Sequence, residues 1–199
     1  MKLVCFDLEG VFVGEIWIEF AEATGIEELR ITTRDEPDYD KLMNYRIGIL
    51  REHGLGLAQI QQVIETMEPL EGARAFLDEL RTFAQVIVVS DTFAQFAGPL
   101  MAKLGYPTLL CNELIVDDDG MVTGFQMRKA KNKKQVTDLL HDMGYDIISC
   151  GDSFNDLAMI QSSSAGFLFR TTEQLKADYP DIPAFDSYDE LLAAIKAEL

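Results

Sequence analysis

Residues 3–10, LVCFDLEG, place two acidic side chains directly behind an apolar run of the length typical of a buried strand. Asp7 and Glu9 are two positions apart, just where a strand over residues 3–6 would end. In open parallel sheets, ligands bind beyond the carboxyl ends of the strands, and two carboxylates there can supply a nucleophile and a proton carrier. Acidic residues also follow strands without any such role, so this stretch needs support from the rest of the chain.

Four more apolar runs of strand length follow, and stretches of helical period alternate with them. They cover residues 86–89, 108–111, 147–150 and 165–169. This alternation predicts an α/β fold around a parallel sheet. The segment between the first two strands is too long for one crossover and carries several helical patterns, so we predict an inserted helical cap over residues 15–71. The remaining residues, 1–14 and 72–199, form the predicted α/β core.

The predicted cap contains two clear helical patterns. Asp38 can cap the first helix, and Arg46 falls on its apolar face. The other members of that face are Leu42, Tyr45, Ile49 and Leu50, with an expected end near Gly54, and the second helix is marked by Ile60, Val63, Ile64 and Met67. In the core, residues 113–116 and 122–127 flank DDDG at 117–120, which predicts a β-hairpin.

The composition restricts the partners of the protein. The chain has 17 basic and 34 acidic residues, a formal net charge of −17, and a field of that sign repels nucleic acids and anionic membrane surfaces. No apolar run is long enough for a signal peptide or a membrane span, so we expect a soluble, cytoplasmic protein. Cys5, Cys111 and Cys150 lie in apolar, strand-like surroundings and are expected to be reduced thiols of the core.

Two polar motifs follow later predicted strands. Ser90, in the sequence VSDT at 89–92, could bind a phosphoryl oxygen beside the backbone amides of a helix N-terminus. An ordinary helix cap explains this serine equally well. Residues 150–156, CGDSFND, offer oxygen ligands of the kind that magnesium prefers, and this motif is the most specific in the chain.

Residues 128–134, RKAKNKK, form a dense cationic stretch in this acidic sequence. One of the lysines could neutralise a phosphoryl group during transfer. A solvated run of charge explains most such segments, and the aromatic residues that stack on nucleic-acid bases are missing from it. The segment leads into a helix whose predicted inward face is Val136, Leu139, Leu140 and Met143. His53 and His141 are interpreted as exposed or helix-end side chains, since neither lies at the end of a predicted strand.

In this order, DLEGV at 7–11, Ser90, Lys133 and GDSFND at 151–156 resemble the four motifs of haloacid dehalogenase superfamily phosphatases. Over nearly the whole chain, the resemblance extends to the bifunctional group described as phosphoserine phosphatase and phosphohomoserine:homoserine phosphotransferase. The stretches that carry it are LEGV at 8–11, EIWI at 15–18, TTRD at 32–35, PDYD at 37–40, PLEG at 69–72, SDTF at 90–93 and PTLLC at 107–111. The resemblance implies a Rossmann-like core of the haloacid dehalogenase type with a small helical cap.

The resemblance also implies catalytic roles. It makes Asp7 the nucleophile that becomes phosphorylated and Glu9 the general acid and base. Lys133 would neutralise the phosphate, with Lys134 as a close rival for that role. Mg²⁺ would be held by Asp7, the backbone carbonyl of Glu9 and Asp152.

Further positions correspond to substrate-binding residues of the group. The residues assigned to the substrate and its phosphate are Ser90, Asp91, Thr92 and Asn155. Glu15 and Arg46 match the cap residues that bind the amino and carboxylate groups. Arg46 also has an argument of its own, because a guanidinium on an apolar helix face needs an anionic partner, unless its stem only lies along the edge of the core. Asn155 and Asp156 would support the metal site from nearby.

Two positions depart from the broad superfamily pattern and resemble the bifunctional group. Glu9 stands where aspartate is usual, and Asp91 stands where typical phosphoserine phosphatases have glycine. The longer Glu9 side chain moves the carboxylate by one methylene. We therefore hypothesise that it affects the choice between water and an alcohol as phosphoryl acceptor.

The sequence thus predicts a magnesium-dependent phosphatase of phosphoserine that can also transfer the phosphoryl group to homoserine. Two alternatives stay open at this point. One is a related phosphatase of another small phosphomonoester, such as a sugar phosphate or nucleotide. The other is a phospho-accepting or magnesium-binding module without turnover, since receiver domains also combine acidic residues, a hydroxyl and a lysine. The oligomeric state is not predicted.

Overall fold

The computed structural model describes residues 1–33, 35–130 and 132–199. Within these ranges, the chain folds around a seven-stranded sheet of order β4-β3-β2-β1-β5-β6-β7. The strands are β1 (Lys2–Phe6), β2 (Gln85–Phe93), β3 (Thr108–Val116), β4 (Val122–Gln126), β5 (Asp146–Gly151), β6 (Ala165–Phe169) and β7 (Ala184–Phe185). Neighbouring strands pair in parallel except β3 and β4, which form an antiparallel hairpin. The predicted α/β fold with a parallel core and a hairpin is confirmed.

Helices connect the strands and cover the sheet. They are α1 (Ile16–Thr24), α2 (Tyr39–Glu52), α3 (Leu57–Ile64), α4 (Ala73–Leu80), α5 (Ala94–Lys103), α6 (Lys133–Asp142), α7 (Leu157–Ser162), α8 (Glu173–Asp178) and α9 (Tyr188–Glu198), with 3₁₀ turns at Glu27–Arg30 and Phe154–Asp156. Helices α1 to α3 lie in the predicted insert. They share an apolar core with the sheet, and Trp17 of α1 packs on Phe96 of α5 with ring centroids 4.9 Å apart. The division into a core and a cap at residues 15 and 71 stays a prediction.

The strands differ from the predicted ones in extent. β2 continues to Phe93, past the predicted end at residue 89, with an irregular register between Val89 and Phe93. β3 runs without a break through both the predicted 108–111 strand and the first arm of the hairpin. The hairpin is therefore an extension of the sheet at its edge. β7 was not predicted, because two residues are too short to show a period.

The predicted cap on α2 is confirmed, because the Asp38 carboxylate accepts a hydrogen bond from the Lys41 N–H at 3.2 Å. The predicted faces of two helices are partly wrong. Tyr45 of α2 is exposed, and in α6 Leu139 and Met143 are 58% and 72% exposed. The face of α6 that turns inward is instead Lys133, Val136, Thr137 and Leu140. These residues follow the i, i+3, i+4, i+7 spacing of a helix face. α6 is therefore rotated about its axis relative to the prediction, and this rotation buries Lys133.

The loop after β1 is held by aromatic packing and by α9. Phe6 and Phe12 pack against Phe76 of α4, and the rings of Phe6 and Phe76 meet edge to face with centroids 5.7 Å apart. The Tyr188 hydroxyl of α9 donates to the Val11 carbonyl at 2.6 Å, and both groups are buried. The backbone that carries the first acidic pair is therefore fixed by contacts from two helices.

The three cysteines are free, as predicted, although Cys111 is only half-buried. Burial raises the pKa of the Cys5 thiol to about 12, so this thiol stays protonated. Among the described residues, no helix has both the length and the apolar character needed to cross a membrane. The cytoplasmic location stays a prediction. Arg34, in the TTRD stretch, and Lys131, in the basic segment, lie outside the described residues.

Candidate active site

Asp7 lies at the carboxyl end of β1, the central strand of the sheet, and is almost completely buried. Its backbone N–H donates to the Cys150 carbonyl of β5 at 3.0 Å, and its Oδ1 accepts from the Leu8 N–H at 2.7 Å. The other oxygen, Oδ2, is 2.7 Å from Nζ of Lys133. Burial raises the pKa of Asp7 well above its usual range; Lys133 opposes this shift and Asp156 adds to it. A second cation beside Asp7 would favour the ionised form of its carboxyl group, which is the nucleophilic form.

Lys133, at the start of α6, is the lysine that reaches Asp7. Its side chain is 2% exposed, and Nζ lies 2.7 Å from Asp7 and 2.6 Å from Asp156. Lys134 instead pairs with Asp138 on the exposed side of α6 at 2.6 Å. The structure therefore brings Lys133, and not Lys134, to the candidate site. The assigned role of Lys133 on phosphate stays a prediction.

The loop after β5 contributes two more carboxylates. Asp7, Asp152 and Asp156 have oxygens within 4.8 Å of one another. Oδ1 of Asp156 accepts from Lys133, and Oδ2 accepts from the backbone N–H groups of Asp152 and Ser153, each at 3.1 Å. Asp156 is thus surrounded by donors and shapes the loop. The three carboxylates together could hold a cation, and Asp7 and Asp152 are the two that the sequence resemblance assigns to it.

The donor set fits a hard divalent cation. Burial and the neighbouring charge of Asp156 together raise the pKa of Asp152 to about 7, so an added positive charge would relieve both effects. Gly10, with φ +76°, lets the backbone after Glu9 approach this carboxylate, because a Cβ atom there would lie 2.3 Å from Cγ of Asp152. Carboxylate and carbonyl oxygens suit Mg²⁺. The predicted ligands, Asp7, the Glu9 carbonyl and Asp152, are therefore chemically suited to that ion.

Glu9 points its carboxylate at the start of α1. Its Oε2 accepts from the Ile16 N–H at 3.0 Å. Burial and, to a smaller extent, the charge of Glu15 raise the pKa of Glu9 to about 8, although the hydrogen bond from Ile16 lowers it. A carboxyl group with a pKa near neutral pH can both give and take a proton, as a general acid and base must.

Arg46 lies buried on the inward face of α2 and is 6% exposed. Its guanidinium carbon is 4.4 Å from the centroid of the Trp17 ring, and Nη2 donates to the Ile31 carbonyl at 2.6 Å. Its Nε is buried without a hydrogen-bond partner, and in the described part of the chain no carboxylate forms an ion pair with it. Burial lowers the pKa of Arg46 to about 10, although the charges of Glu9 and Glu15 favour the cation. A buried guanidinium in this state is suited to an anionic ligand.

Glu15 is the exposed residue that precedes α1, and its side chain does not cap that helix. Its charge contributes to the pKa values of Glu9, Arg46 and Asp152. Glu15 is therefore at the rim of the candidate site. Its proposed contact with an amino group stays a prediction.

The segment with Ser90 lies differently from the prediction. Ser90 and Thr92 are buried, and the Ser90 hydroxyl accepts from the Thr92 N–H at 3.2 Å. Because β2 continues to Phe93, α5 begins only at Ala94, and Ser90 does not adjoin a helix N-terminus. The expected amides of a first helical turn are therefore not beside this hydroxyl. The carboxylate of Asp91 bonds to Arg128 at 2.8 Å.

Asn155 lies in the 3₁₀ turn after the Asp152 loop and is exposed. Its Oδ1 accepts from the Ser153 hydroxyl. The described contacts of Asn155 are therefore within its own turn. Its assigned role at the substrate stays a prediction.

Four residues that support the site were not predicted from the sequence. Asn112 and Tyr39 both donate to the Asp91 carbonyl at 2.9 Å, and Arg128 binds the same segment. Thr171 donates from its hydroxyl to the Asp152 carbonyl at 2.5 Å. Thr171 follows the predicted strand at 165–169, so the rule that ligands lie at strand ends could have found it. The contacts of Tyr39 and Asn112 join distant parts of the chain and have no local sequence signal.

A family model described as haloacid dehalogenase-like hydrolase matches residues 13–161 of the chain. The match covers most of the sheet, Lys133 and the loop with Asp152. It begins after Asp7 and Glu9, so the assignment of those two residues depends on the geometry described above.

Two curated relatives extend over more of the chain. The phosphoserine phosphatase ThrH of Pseudomonas aeruginosa is 50% identical over 191 residues, which cover 96% of this chain and 93% of that protein. The phosphoserine phosphatase of Pseudomonas syringae pv. tomato is 51% identical over 191 residues, which cover 96% of this chain and 81% of that protein. Both alignments include nearly all of the chain.

Solved structures of phosphoserine phosphatases share the fold. A substrate-bound complex has a TM-score of 0.77 at 24% sequence identity, with 97% of each chain covered. A phospho-aspartyl intermediate analogue has a TM-score of 0.75 at 24% identity, covering 97% of this chain and 98% of the other. With the family match, the two relatives at about half identity and the common fold in agreement, the chain belongs to the haloacid dehalogenase-like hydrolases.

Proposed function

We propose that this hydrolase is a magnesium-dependent phosphoserine phosphatase that can also pass the phosphoryl group to homoserine. The observation that carries the proposal is the buried contact of 2.7 Å between Asp7 and Lys133, beside Asp152, at the carboxyl ends of β1 and β5. The names of the two relatives support phosphoserine as the substrate. Transfer to homoserine is supported by the sequence resemblance to the bifunctional group.

In the first half-reaction, an Oδ atom of Asp7 attacks the phosphorus atom of the phosphoester. The bond between phosphorus and the serine oxygen breaks, and Glu9 gives its proton to the departing oxygen. Lys133 neutralises charge on the phosphoryl oxygens, and Ser90 can donate its hydroxyl to one of them. The products are serine and an aspartyl phosphate on Asp7.

In the second half-reaction, Glu9 takes a proton from the acceptor hydroxyl. The acceptor oxygen attacks phosphorus, and the bond to Asp7 breaks, which restores the carboxylate. Water as acceptor yields inorganic phosphate, and homoserine yields phosphohomoserine. The residues act mainly by positioning and by charge stabilisation, because the phosphoryl charge is already spread over its oxygens.

Mg²⁺, held by Asp7, the Glu9 carbonyl and Asp152, would supply positive charge to the phosphoryl oxygens when bound. The chain supplies the surroundings for this charge. Asp156 and Thr171 orient the Asp152 loop by hydrogen bonds to its backbone. Lys133 is the cation that the protein itself supplies beside Asp7, in addition to the metal.

Arg46 and Glu15 are the proposed contacts of the amino acid itself. The carboxylate of phosphoserine would pair with the buried Arg46 guanidinium, which has an unpartnered Nε. Glu15 at the rim would accept from the amino group. Homoserine carries the same two groups, so one pocket can orient both the donor and the acceptor.

The test measures phosphate release and phosphohomoserine formation from phosphoserine with Mg²⁺, with and without homoserine. Three proteins are compared: the wild type, Asp7→Asn, and Asp118→Asn as an exposed control in the hairpin turn. We expect both products from the wild type and the control, and neither from Asp7→Asn with an intact fold by circular dichroism. Near-normal turnover by Asp7→Asn would refute the nucleophile.

Other outcomes separate the alternatives. If phosphate is released but no phosphohomoserine forms in the presence of homoserine, the protein is a phosphatase without the transferase activity. No turnover of phosphoserine contradicts the substrate, and a panel of sugar phosphates and nucleotides then tests the related phosphatases. Less than one phosphate released per protein on every substrate would indicate a phospho-accepting module without turnover.

A further inference from the structure

Arg128 links the end of β4 to the segment that contains Ser90. It follows the hairpin, and its side chain is only 11% exposed. Nη1 donates to the Ser90 carbonyl at 2.5 Å, and Nη2 donates to Oδ1 of Asp91 at 2.8 Å. One guanidinium therefore binds both the backbone of Ser90 and the carboxylate of the next residue.

The Asp91 carboxylate adds a negative charge next to Ser90, where the negative phosphoryl group is proposed to bind. Asp91 directly follows Ser90, the residue proposed to bind the phosphoryl group, so the two residues belong to the same short segment at the end of β2. An unneutralised carboxylate there would repel the negative phosphoryl group, in a protein whose net charge is already −17.

We propose that Arg128 is a positioning residue that neutralises Asp91 and so permits phosphate to bind beside Ser90. This inference rests on the proposed function, in which the phosphoryl group lies against Ser90 and Lys133. Arg128 touches neither the reacting atoms nor Asp7 in the described contacts. It acts through the charge of Asp91 and the backbone of Ser90.

Other contacts hold the same segment independently of Arg128. The Asp91 carbonyl accepts from Asn112 and from Tyr39, and Asn112 is buried. Loss of the Arg128 side chain would therefore leave two supports of the backbone in place. Its removal should act mainly by leaving the charge of Asp91 without a partner. A second substitution that removes this charge should therefore reverse the effect.

The test measures the Kd of inorganic phosphate by calorimetry in the presence of Mg²⁺, so that no particular organic substrate is assumed. The variants are Arg128→Ala, Asp91→Asn, the double variant and Arg128→Lys. The matched control is Arg74→Ala with and without Asp78→Asn, since Arg74 and Asp78 form an exposed ion pair of 2.6 Å on α4. Melting temperatures and circular dichroism confirm that each variant is folded.

We expect Arg128→Ala to raise the Kd of phosphate by roughly tenfold or more. The double variant should return to within about threefold of Asp91→Asn alone, which is the coupling expected of a charge pair. Arg128→Lys keeps the charge but loses the planar fork that bonds Ser90 and Asp91 together, so its Kd should lie between those of the wild type and Arg128→Ala. The Arg74 and Asp78 variants should not change the Kd.

A double variant as weak as Arg128→Ala would overturn the inference, because the loss would then not come from Asp91. Equal losses in Arg128→Lys and Arg128→Ala would overturn it as well. If the wild type binds phosphate and turns over phosphoserine, these results contradict the inference alone. If the wild type does neither, the proposed function fails, and the inference fails with it.

Discussion

The Nζ atom of Lys133 lies 2.7 Å from Oδ2 of Asp7 and 2.6 Å from Oδ1 of Asp156, in a place where all three side chains are buried. The lysine opens α6, and the two carboxylates follow β1 and β5. One ammonium is thus shared between the proposed nucleophile and the residue that shapes the Asp152 loop. This contact connects the charge of the site to the stability of the fold.

Lys133→Ala should lower kcat/KM for phosphoserine by about 10²–10³-fold, because it removes a cation directed at the phosphoryl group. It also leaves Asp7 and Asp156 buried without their shared partner, so the free energy of unfolding should fall by about 3 kcal/mol. Steady-state kinetics and urea denaturation measure the two effects. Lys134→Ala is the adjacent control, with an exposed side chain paired to Asp138. A similar kinetic loss in Lys134→Ala would contradict the assignment.

Glu9 should impose a limit on activity at high pH. The first half-reaction needs its proton, and its pKa is raised to about 8, so kcat/KM should fall about tenfold per pH unit above that value. Glu9→Gln cannot transfer a proton and should lower kcat by about 10²–10⁴-fold. A pH–rate profile from pH 5 to 10 measures both. If Glu9→Gln keeps the same alkaline limb as the wild type, another group is responsible for it.

Glu9→Asp tests the choice of acceptor. The shorter side chain moves the carboxylate away from the Ile16 N–H, which Glu9 reaches at 3.0 Å. We expect the ratio of phosphate to phosphohomoserine, measured at fixed homoserine concentration, to change from the wild-type value. A ratio that stays the same while both rates fall would show that the extra methylene does not select the acceptor.

Arg46→Met should weaken binding of phosphoserine without weakening the fold. The buried guanidinium would lose its proposed carboxylate partner, so KM for phosphoserine should rise about 30-fold or more. The ligand-free protein should melt at the same temperature or higher, because the variant removes a buried charge that no carboxylate pairs with in the described residues. Arg51→Met, at an exposed position of the same helix, is the control.

The substrate p-nitrophenyl phosphate separates this role from a general effect on catalysis. It has neither a carboxylate nor an amino group, so Arg46→Met should change its kcat/KM by less than about threefold. Equal losses of kcat/KM on the two substrates would instead show that Arg46 supports the phosphoryl site.

The metal-free protein should become less stable as the pH rises. The pKa of Asp152 is raised from its ordinary value of 3.8 to about 7, and that of Glu9 from 4.5 to about 8. The folded state therefore holds these protons more tightly than the unfolded state. Their contribution to stability is complete below about pH 4 and is lost as the pH rises through 7 to 8.

Melting temperatures in EDTA should accordingly fall by about 5 °C or more between pH 5.5 and pH 8.5. Added Mg²⁺ should raise the melting temperature more at pH 8.5 than at pH 5.5, because ligation competes with protonation. Asp152→Asn should lose most of the Mg²⁺ effect, and Asp118→Asn should keep it. A Mg²⁺ effect that is equal at both pH values would contradict this account.

Much of the fold follows from local patterns. Apolar runs of strand length predict β1, β5 and β6 closely, and the Asp38 cap predicts the start of α2. The polar residues behind the strands converge because the carboxyl ends of parallel strands lie at one edge of a sheet. The order of strands and motifs along the chain is therefore enough to predict that Asp7 and Asp152 lie close together.

The rotation of helices was harder to predict, because periodicity shows that a helix has a face but not how neighbouring elements cover it. Leu139 and Met143 fit the period of α6, yet they are exposed, and the helix turns Lys133 inward instead. The same rotation separates Lys133 from Lys134, which the motif alone left as rivals.

The sequence by itself determined the order of the main strands and the acidic motifs at their ends, because these depend on short-range period and composition. Only the tertiary structure decided which lysine reaches Asp7 and that Arg128 pairs with Asp91. It also decided that Arg46 is buried and that, among the described residues, no carboxylate forms an ion pair with it. These contacts join side chains that are distant along the chain. Their geometry is set by the packing of whole elements, which no local pattern encodes.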